Sequence, residues 1–136
     1  MRAVEQGSRD SYQLVIDVPA RIRVQVGRLG EFECPAGTCV YTGSARRGLE
    51  ARLARHARAE KALRWHIDYL LAPPGMRITR IVRSRREECR LNQAVKGTVR
   101  VPGFGSSDCR AGCGAHLKYQ GPLGKSLSVG RGGTPA

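Results

Sequence analysis

One predicted helix carries side chains able to bind or activate a phosphate group. From about residue 48 to 59, apolar residues recur every fourth position, which predicts an amphipathic helix. Arg52 and His56 lie one turn apart on a different face, together with Arg55. Guanidinium groups bind phosphate bidentately, and an imidazole titrates near neutral pH. This basic outer face predicts phosphate binding. His56 is a candidate to assist a nucleophile or to contact phosphate, and a solvated or structural histidine is the alternative.

A carboxylate is the second candidate for chemistry. Ser84-Arg85-Arg86-Glu87 has the spacing of a capping box, so Glu87 is predicted to close the N-terminus of a helix that starts there. Glu88 points about 100° away around that helix and is not needed for the cap. A carboxylate in a basic cleft repels phosphate unless a metal ion intervenes, so a pure binding protein should not need it. Glu88 is therefore the carboxylate predicted to be available for catalysis.

The cysteines allow two interpretations. Cys34-x4-Cys39 and Cys109-x3-Cys113, with His116 nearby, could together hold Zn²⁺, although neither gap is the usual Cys-x2-Cys. Reduced thiols that pack in the interior are the favoured alternative. Five cysteines, an odd number, argue against a disulfide framework. With no secretory signal and no apolar run of about 18 residues, we expect a cytoplasmic protein that does not enter a membrane.

The charge of the chain indicates a polyanionic partner. Against 11 acidic residues stand 24 basic ones, 20 of them Arg, giving a formal net charge of +13. A compact domain with this charge repels itself unless a polyanion neutralises part of it, which favours nucleic acid. An Arg-rich genome would produce the same bias toward arginine.

The predicted elements form one α/β (α+β) domain, as the length of 136 residues allows. Alternating apolar residues predict two antiparallel strands, at 12–18 and 22–26, turned by Pro19-Ala20. A third strand is predicted from Cys39 to Gly43, which gives a small antiparallel three-stranded sheet flanked by helices. Residues 77–83 are predicted to form another strand.

Two further helices are predicted after the basic one. The first runs from Lys61 to Leu71 and buries four apolar residues, with Trp65 in an anchoring cluster; the second begins at the capping box and buries two more. The buried residues are expected to be Leu63, Ile67, Leu70, Leu71, Leu91 and Val95. Residues 1–9 and 121–136 are predicted to be flexible ends around a domain at 10–120.

Five segments form a pattern that local periodicity does not explain: Asp10-Ser11-Tyr12, Val40-Tyr41-Thr42-Gly43-Ser44-Ala45, the arginine-bearing helix that follows, Trp65–Leu71 and Gly103–Cys109. Together, over roughly residues 10–119, they resemble the GIY-YIG nuclease superfamily, and more specifically its Uri-like endonuclease branch. Asp10 stands where the family usually has glycine. Ser44 stands where many members have lysine, which matches the Uri-like branch.

The resemblance implies a catalytic cleft on one face of the sheet and one divalent ion, Mg²⁺ or Mn²⁺. Tyr12 and Tyr41 would converge on the scissile phosphate, with Tyr12 helping to deprotonate the attacking water. Arg52 would stabilise negative charge on the phosphate, and Glu88 would bind the metal. Tyrosines also fill half-buried strand faces without any chemical role, which is the alternative for this pair.

The predicted function is that of a metal-dependent endonuclease, with DNA favoured over RNA. A single domain without an obvious recognition module suggests structure-selective cutting, as in repair. A repair protein is the protein partner that such a function suggests. A non-catalytic nucleic-acid-binding module and an RNA-associated accessory protein are the alternatives. The residues predicted to contact nucleic acid are Ser44, Arg46, Arg47, Arg55, Arg58, Arg64, Ser106 and Ser107.

Overall fold

The computed structural model describes residues 11–45, 48–58, 63, 65–105 and 113–122. The described strands are β1 (Ser11–Val18), β2 (Ile22–Val26), β3 (Gly30–Cys34), β4 (Gly37–Ser44), β5 (Arg77–Ser84) and β6 (Leu117–Gly121). The described helices are α1 (Leu49–Ala57), α2 (His66–Leu71) and α3 (Glu88–Gln93), with a 3₁₀ turn at Gly27–Leu29.

The main sheet is antiparallel and has the strand order β5-β1-β4-β6. β1 lies inside it, because it pairs with β4 on one side and with β5 on the other. Its alternate residues Tyr12, Leu14, Ile16 and Val18 are all nearly or fully buried, as expected for a strand with one face on the core. The predicted alternation on this strand is therefore confirmed.

The prediction of a three-stranded sheet is wrong in both strand number and pairing. The sheet has four strands, and β2 is not one of them, since β2 pairs with β3 in a separate two-stranded sheet. The short turn at Gly27–Leu29 makes β3 the nearest partner for β2. β1 instead pairs with strands distant in sequence, which local alternation cannot identify. The predicted strand at 77–83 is confirmed as β5.

The helices depart from prediction mainly at their starts. α1 runs from Leu49 to Ala57, within the predicted segment 48–59 but ending before the extended Arg58, and Leu53 lies in the core. α2 begins at His66 rather than near residue 61, and Leu63 is 48% exposed instead of buried. Ser84 stays in the strand ladder opposite Ser11, so Glu87 becomes the N-cap of α3 in place of the predicted serine.

The core lies between the main sheet, the small sheet and the helices. α2 packs against β2, whereas α3 packs against β4 and β1. Val101 and Phe104, on the loop after α3, complete the buried cluster. Within the part of the chain that the structure describes, no helix is long and apolar enough to cross a membrane.

Candidate active site

Two tyrosines from neighbouring strands lie on one face of the main sheet. Tyr12 is opposite Gly43, and Tyr41 is opposite Leu14, so the period of two places both tyrosine rings on the core side. Their ring centroids are 6.3 Å apart. The His56 ring of α1 lies 5.5 Å from the Tyr12 ring and 6.3 Å from the Tyr41 ring.

Glycines make room for these rings. A Cβ atom at Gly43 would lie 2.6 Å from the Tyr12 hydroxyl oxygen, closer than two such atoms can approach. Gly105 has φ +68°, and a Cβ atom there would lie 3.0 Å from the Tyr41 ring. The glycine two residues after Tyr41 is thus explained by packing, because the Tyr12 ring occupies the space next to its backbone.

The Tyr12 hydroxyl lies 2.8 Å from His56 Nε2, and both residues are buried. Burial raises the pKa of Tyr12 to about 12, although Arg52 and Tyr41 lower it by hydrogen bonding. Because Tyr12 is neutral, its hydroxyl carries a proton, and we assign that proton to the contact with His56 Nε2. His56 is 2% exposed, so the predicted position on the outer face of α1 is wrong for this residue.

Arg52 is held at the edge of this cluster. Its Nη1 donates to the backbone carbonyl of Ser44 at 2.9 Å, and its guanidinium lies 4.4 Å from the Trp65 ring centroid. A cation above an aromatic face is stabilised by the ring quadrupole. Arg52 therefore remains half-buried and close to Tyr12, where it lowers the pKa of that hydroxyl against the effect of burial.

Arg55 is engaged in a buried ion pair. Its Nη1 and Nη2 donate to both carboxylate oxygens of Asp68, at 2.8 and 3.0 Å, and Asp68 is fully buried. The hydrogen bond with Asp68 raises the pKa of Arg55. Asp68 also accepts the backbone N–H of Trp65, and Arg55 stacks on the Trp65 ring. The anchoring cluster predicted around Trp65 thus forms, and Arg55 belongs to it.

Glu88 reaches the same region from the first turn of α3. Its Oε1 accepts from Ser44 Oγ at 2.7 Å, and its Oε2 lies 2.7 Å from His116 Nδ1. Burial opposes ionisation of Glu88, but hydrogen bonds from His116 and Ser44, with the charges of His116 and Arg52, lower the pKa of this carboxyl. The side chain keeps 27% of its surface exposed.

Glu87 caps the N-terminus of α3, as the sequence suggested, but it does so as the N-cap residue itself and not as the glutamate of a capping box. Its carboxylate accepts the backbone N–H groups of Cys89 and Arg90, both at 3.2 Å. The two adjacent glutamates therefore differ in role, because Glu87 caps α3 whereas Glu88 contacts Ser44 and His116. This division was expected from helix phasing.

The predicted contacts to nucleic acid are only partly within the described residues. Ser44 lies against Glu88, and Arg58 is exposed at the end of α1. Arg85, Arg86 and Arg90 flank Glu88 and are exposed, and sequence reasoning passed over them. The feature of the sequence that could have pointed to them is the pair Arg85-Arg86, directly before the two glutamates. Outside the described residues lie Arg46, Arg47, Arg64, Ser106 and Ser107.

A second set of donors adjoins Glu88. Cys89, Cys113 and His116 each offer one ligand atom, and these atoms lie within 4.8 Å of one another, so the group could hold a metal ion. Cys34 and Cys39 are buried core residues whose thiol pKa values are raised by burial, which agrees with the favoured interpretation of packed reduced thiols and not with a zinc site.

Part of this second set of donors was visible in the sequence. The sequence-based zinc set also included Cys109, which lies outside the described residues. The sequence contained the Cys113-x2-His116 spacing. Cys89 was missed, because it comes from a helix far away along the chain.

The geometry brings a carboxylate, an arginine, two phenols and two imidazoles into one contiguous cluster. Such a set can coordinate a hard cation, bind phosphate oxygens and transfer protons. No curated protein and no solved structure matches the chain. One family model does match, over residues 11–128, and its description is "Domain of unknown function DUF123". Since the match covers well over half of the 136 residues, the chain belongs to the DUF123 family.

Proposed function

We propose that this protein is a Mg²⁺-dependent nuclease that hydrolyses phosphodiester bonds in nucleic acid, with DNA favoured. The observation that carries the proposal is the meeting of Tyr12, Tyr41, Arg52 and Glu88, which are far apart in sequence. The charges of Arg52 and Glu88 both act on the ionisation of the two tyrosines. These are the positions that resemble the GIY-YIG nuclease signature.

Glu88 has the chemistry that the metal requires. Its pKa is lowered, because hydrogen bonds and positive charges outweigh the effect of burial, so the carboxylate is ionised at neutral pH. Each oxygen accepts one hydrogen bond, from Ser44 or from His116, which leaves further lone pairs for a cation. Mg²⁺ commonly binds one carboxylate together with water and phosphate. When bound, such an ion supplies charge stabilisation to the phosphate and the leaving oxygen.

Arg52 is the residue suited to the phosphate itself. One guanidinium nitrogen is anchored on the Ser44 carbonyl and the plane rests on Trp65, so the group is oriented before any substrate arrives. The remaining N–H groups can donate to non-bridging oxygens as negative charge builds up. The Arg55–Asp68 pair contributes indirectly, because it holds Trp65 in place beside Arg52.

The tyrosines and His56 supply a route for a proton. With a pKa of about 12, Tyr12 is neutral at pH 7 and is a poor base on its own. Its oxygen can accept a proton from the attacking water as its own proton passes to His56 Nε2, 2.8 Å away. Burial also raises the pKa of Tyr41, which therefore acts as a neutral hydrogen-bond donor. His56 thus acts through Tyr12 rather than on the phosphate.

Exposed arginines around Glu88 favour binding of a polyanion. Arg85, Arg86 and Arg90 all lie within three residues of that carboxylate. Among the described residues, the ion pairs engage Arg21, Arg55 and Arg83, so none involves these three. Contacts of this kind position a duplex without reading its sequence. Structure-selective cutting, as in repair, fits such a surface.

A second candidate function is nucleic-acid binding without catalysis. The observation that favours it is burial, since Tyr12 is 1% and Tyr41 9% exposed. Both oxygens of Glu88 also already have hydrogen-bond partners within the protein. In this case the tyrosine cluster would be part of the packed core, and the surface arginines alone would bind the nucleic acid.

Cleavage of labelled substrates separates the two functions. Duplex, single-stranded and branched DNA and RNA are incubated with the protein in Mg²⁺ or Mn²⁺, and in EDTA. We expect metal-dependent cutting of a DNA substrate that Tyr41→Phe abolishes. Tyr119→Phe is the matched control, because its hydroxyl instead donates to the Ala36 carbonyl at 2.8 Å. Salt-sensitive binding without cutting by the wild type would establish the second candidate.

A further inference from the structure

Soft donor atoms converge next to Glu88, beyond the carboxylate proposed to hold Mg²⁺. Cys89 lies on α3, whereas Cys113 and His116 lie on the segment that leads into β6. The sulfur of Cys89 is 3.8 Å from His116 Nε2, and all three ligand atoms lie within 4.8 Å of one another. His116 is 2% exposed, and the two cysteines are half-buried.

Contacts outside the three residues hold the two segments together. Asn92, one turn after Cys89, donates through Nδ2 to the Ala115 carbonyl at 2.9 Å. Lys118 donates to the carbonyls of Asn92 and Val95, at 3.1 and 3.2 Å. The donor atoms are thus brought together by the fold, which lowers the ordering cost of binding an ion.

The hydrogen bond between His116 and Glu88 orients the imidazole for metal binding. A carboxylate accepts hydrogen bonds, so the 2.7 Å contact places a proton on His116 Nδ1. Nε2, which faces Cys89, is the other ring nitrogen. Histidines that ligate metals usually donate their second ring N–H to a carboxylate or carbonyl in this way.

We propose that Cys89, Cys113 and His116 bind Zn²⁺. Thiolates and imidazole are the ligands that Zn²⁺ prefers, whereas Mg²⁺ takes oxygen ligands. Tetrahedral bonds of about 2.3 Å to sulfur and about 2.0–2.1 Å to nitrogen place these atoms about 3.6 Å apart. The observed separation between Cys89 Sγ and His116 Nε2 is 3.8 Å, so a small contraction suffices.

Binding is a ligand exchange without any redox change. The two thiols release their protons to solvent as the sulfur–zinc bonds form, and Nε2 gives its lone pair to the ion. Three protein ligands leave a fourth position for water or another donor. Because His116 Nδ1 faces Glu88 and Nε2 faces Cys89, an ion held by Nε2 would also help to fix the orientation of the Glu88 carboxylate. The zinc site does not depend on the proposed nuclease activity.

The test uses the full chain, purified with a reductant and stripped of metal by a chelator. Zn²⁺ alone is added back, unbound metal is removed by dialysis, and the metal that remains bound is measured by elemental mass spectrometry. Co²⁺ alone, added to a second sample, reports the ligands through thiolate-to-metal charge-transfer absorption. We expect about one tightly bound equivalent per chain and the spectrum of a tetrahedral site with two thiolates.

Variants identify the ligands. Cys113→Ser and Cys89→Ser should each weaken Zn²⁺ binding by more than about tenfold. Cys34→Ala is the matched control, because Cys34 is a buried thiol outside the group, and it should retain the metal. If a ligand variant fails to fold, the cobalt spectrum of the wild type decides alone.

The proposal is overturned by a wild type without stoichiometric metal, or by ligand variants that bind Zn²⁺ as the wild type does. A disulfide joining Cys89 to Cys113 in the reduced preparation would overturn it as well. No nucleic acid is present in these measurements, so their failure and failure of the nuclease proposal are separate results.

Discussion

Replacing Tyr12 with phenylalanine removes one oxygen atom and keeps the ring that fills the core. The missing hydroxyl leaves a gap 2.8 Å from His56 Nε2, at a place where both residues are no more than 2% exposed. Losing the bond and leaving a buried nitrogen less well satisfied costs about 1–3 kcal/mol. We expect the free energy of unfolding to fall by that amount, and cleavage to be lost with it.

Urea denaturation followed by tryptophan fluorescence measures this cost at the site. Trp65 is the only tryptophan in the chain, and its ring lies 6.0 Å from the His56 ring. The single variants Tyr12→Phe and His56→Leu are compared with the double variant. We expect a coupling energy of about 1 kcal/mol or more, because either substitution breaks the same bond.

The control for this cycle is Tyr119→Phe, which removes a tyrosine hydroxyl bonded to the Ala36 carbonyl instead. Its effect should add to that of His56→Leu. Additivity within about 0.5 kcal/mol for the Tyr12 and His56 pair would refute the assigned hydrogen bond. The proton route proposed through Tyr12 would then have no structural basis.

Three further outcomes are expected. Glu87→Ala should lower the free energy of unfolding by about 1 kcal/mol in urea denaturation, because it removes the cap of α3, and should leave cleavage unchanged. Gly43→Ala should destabilise the protein by about 1–3 kcal/mol and abolish cleavage, since its Cβ atom would displace the Tyr12 ring; wild-type activity would contradict the packing described. The pKa of Glu88 is lowered in the folded protein, so its stabilising contribution is present above the ordinary value of 4.5 and is lost as pH falls through the folded value. As the pH is lowered, the free energy of unfolding should therefore fall more steeply for the wild type than for Glu88→Gln. Identical dependence on pH in the acid range would contradict this.

The sequence predicted those features that depend on local periodicity. The alternation from Tyr12 to Val18 gave β1, the four-residue recurrence gave α1, and helix phasing separated Glu87 from Glu88. Each of these signals lies within a few residues of the element it predicts. Strand pairing does not, because residues 22–26 could satisfy their alternation against any neighbouring strand. That is why β2 was assigned to the wrong sheet.

The residues of the candidate site divide in the same way, into those that the sequence identified and those whose positions depend on tertiary packing. Tyr12, Tyr41, Arg52 and Glu88 were identified through their resemblance to a known signature. The burial of His56 and the engagement of Arg55 by Asp68 depend on tertiary packing. Cys89 was missed for the same reason, since only the approach of α3 to the segment before β6 places it beside His116.

The nuclease proposal is tested most directly by single-turnover cleavage of the preferred substrate in Mg²⁺, with Glu88→Gln compared with Glu87→Gln. The two substitutions are isosteric and adjacent, and each removes one negative charge, so they differ only in which carboxylate is lost. We expect Glu88→Gln to cut at least about 100-fold more slowly than the wild type while binding the substrate equally well, and Glu87→Gln to cut at the wild-type rate. Equal rates for the two variants, or binding without cutting by the wild type, would contradict the assignment of Glu88 to a catalytic metal site.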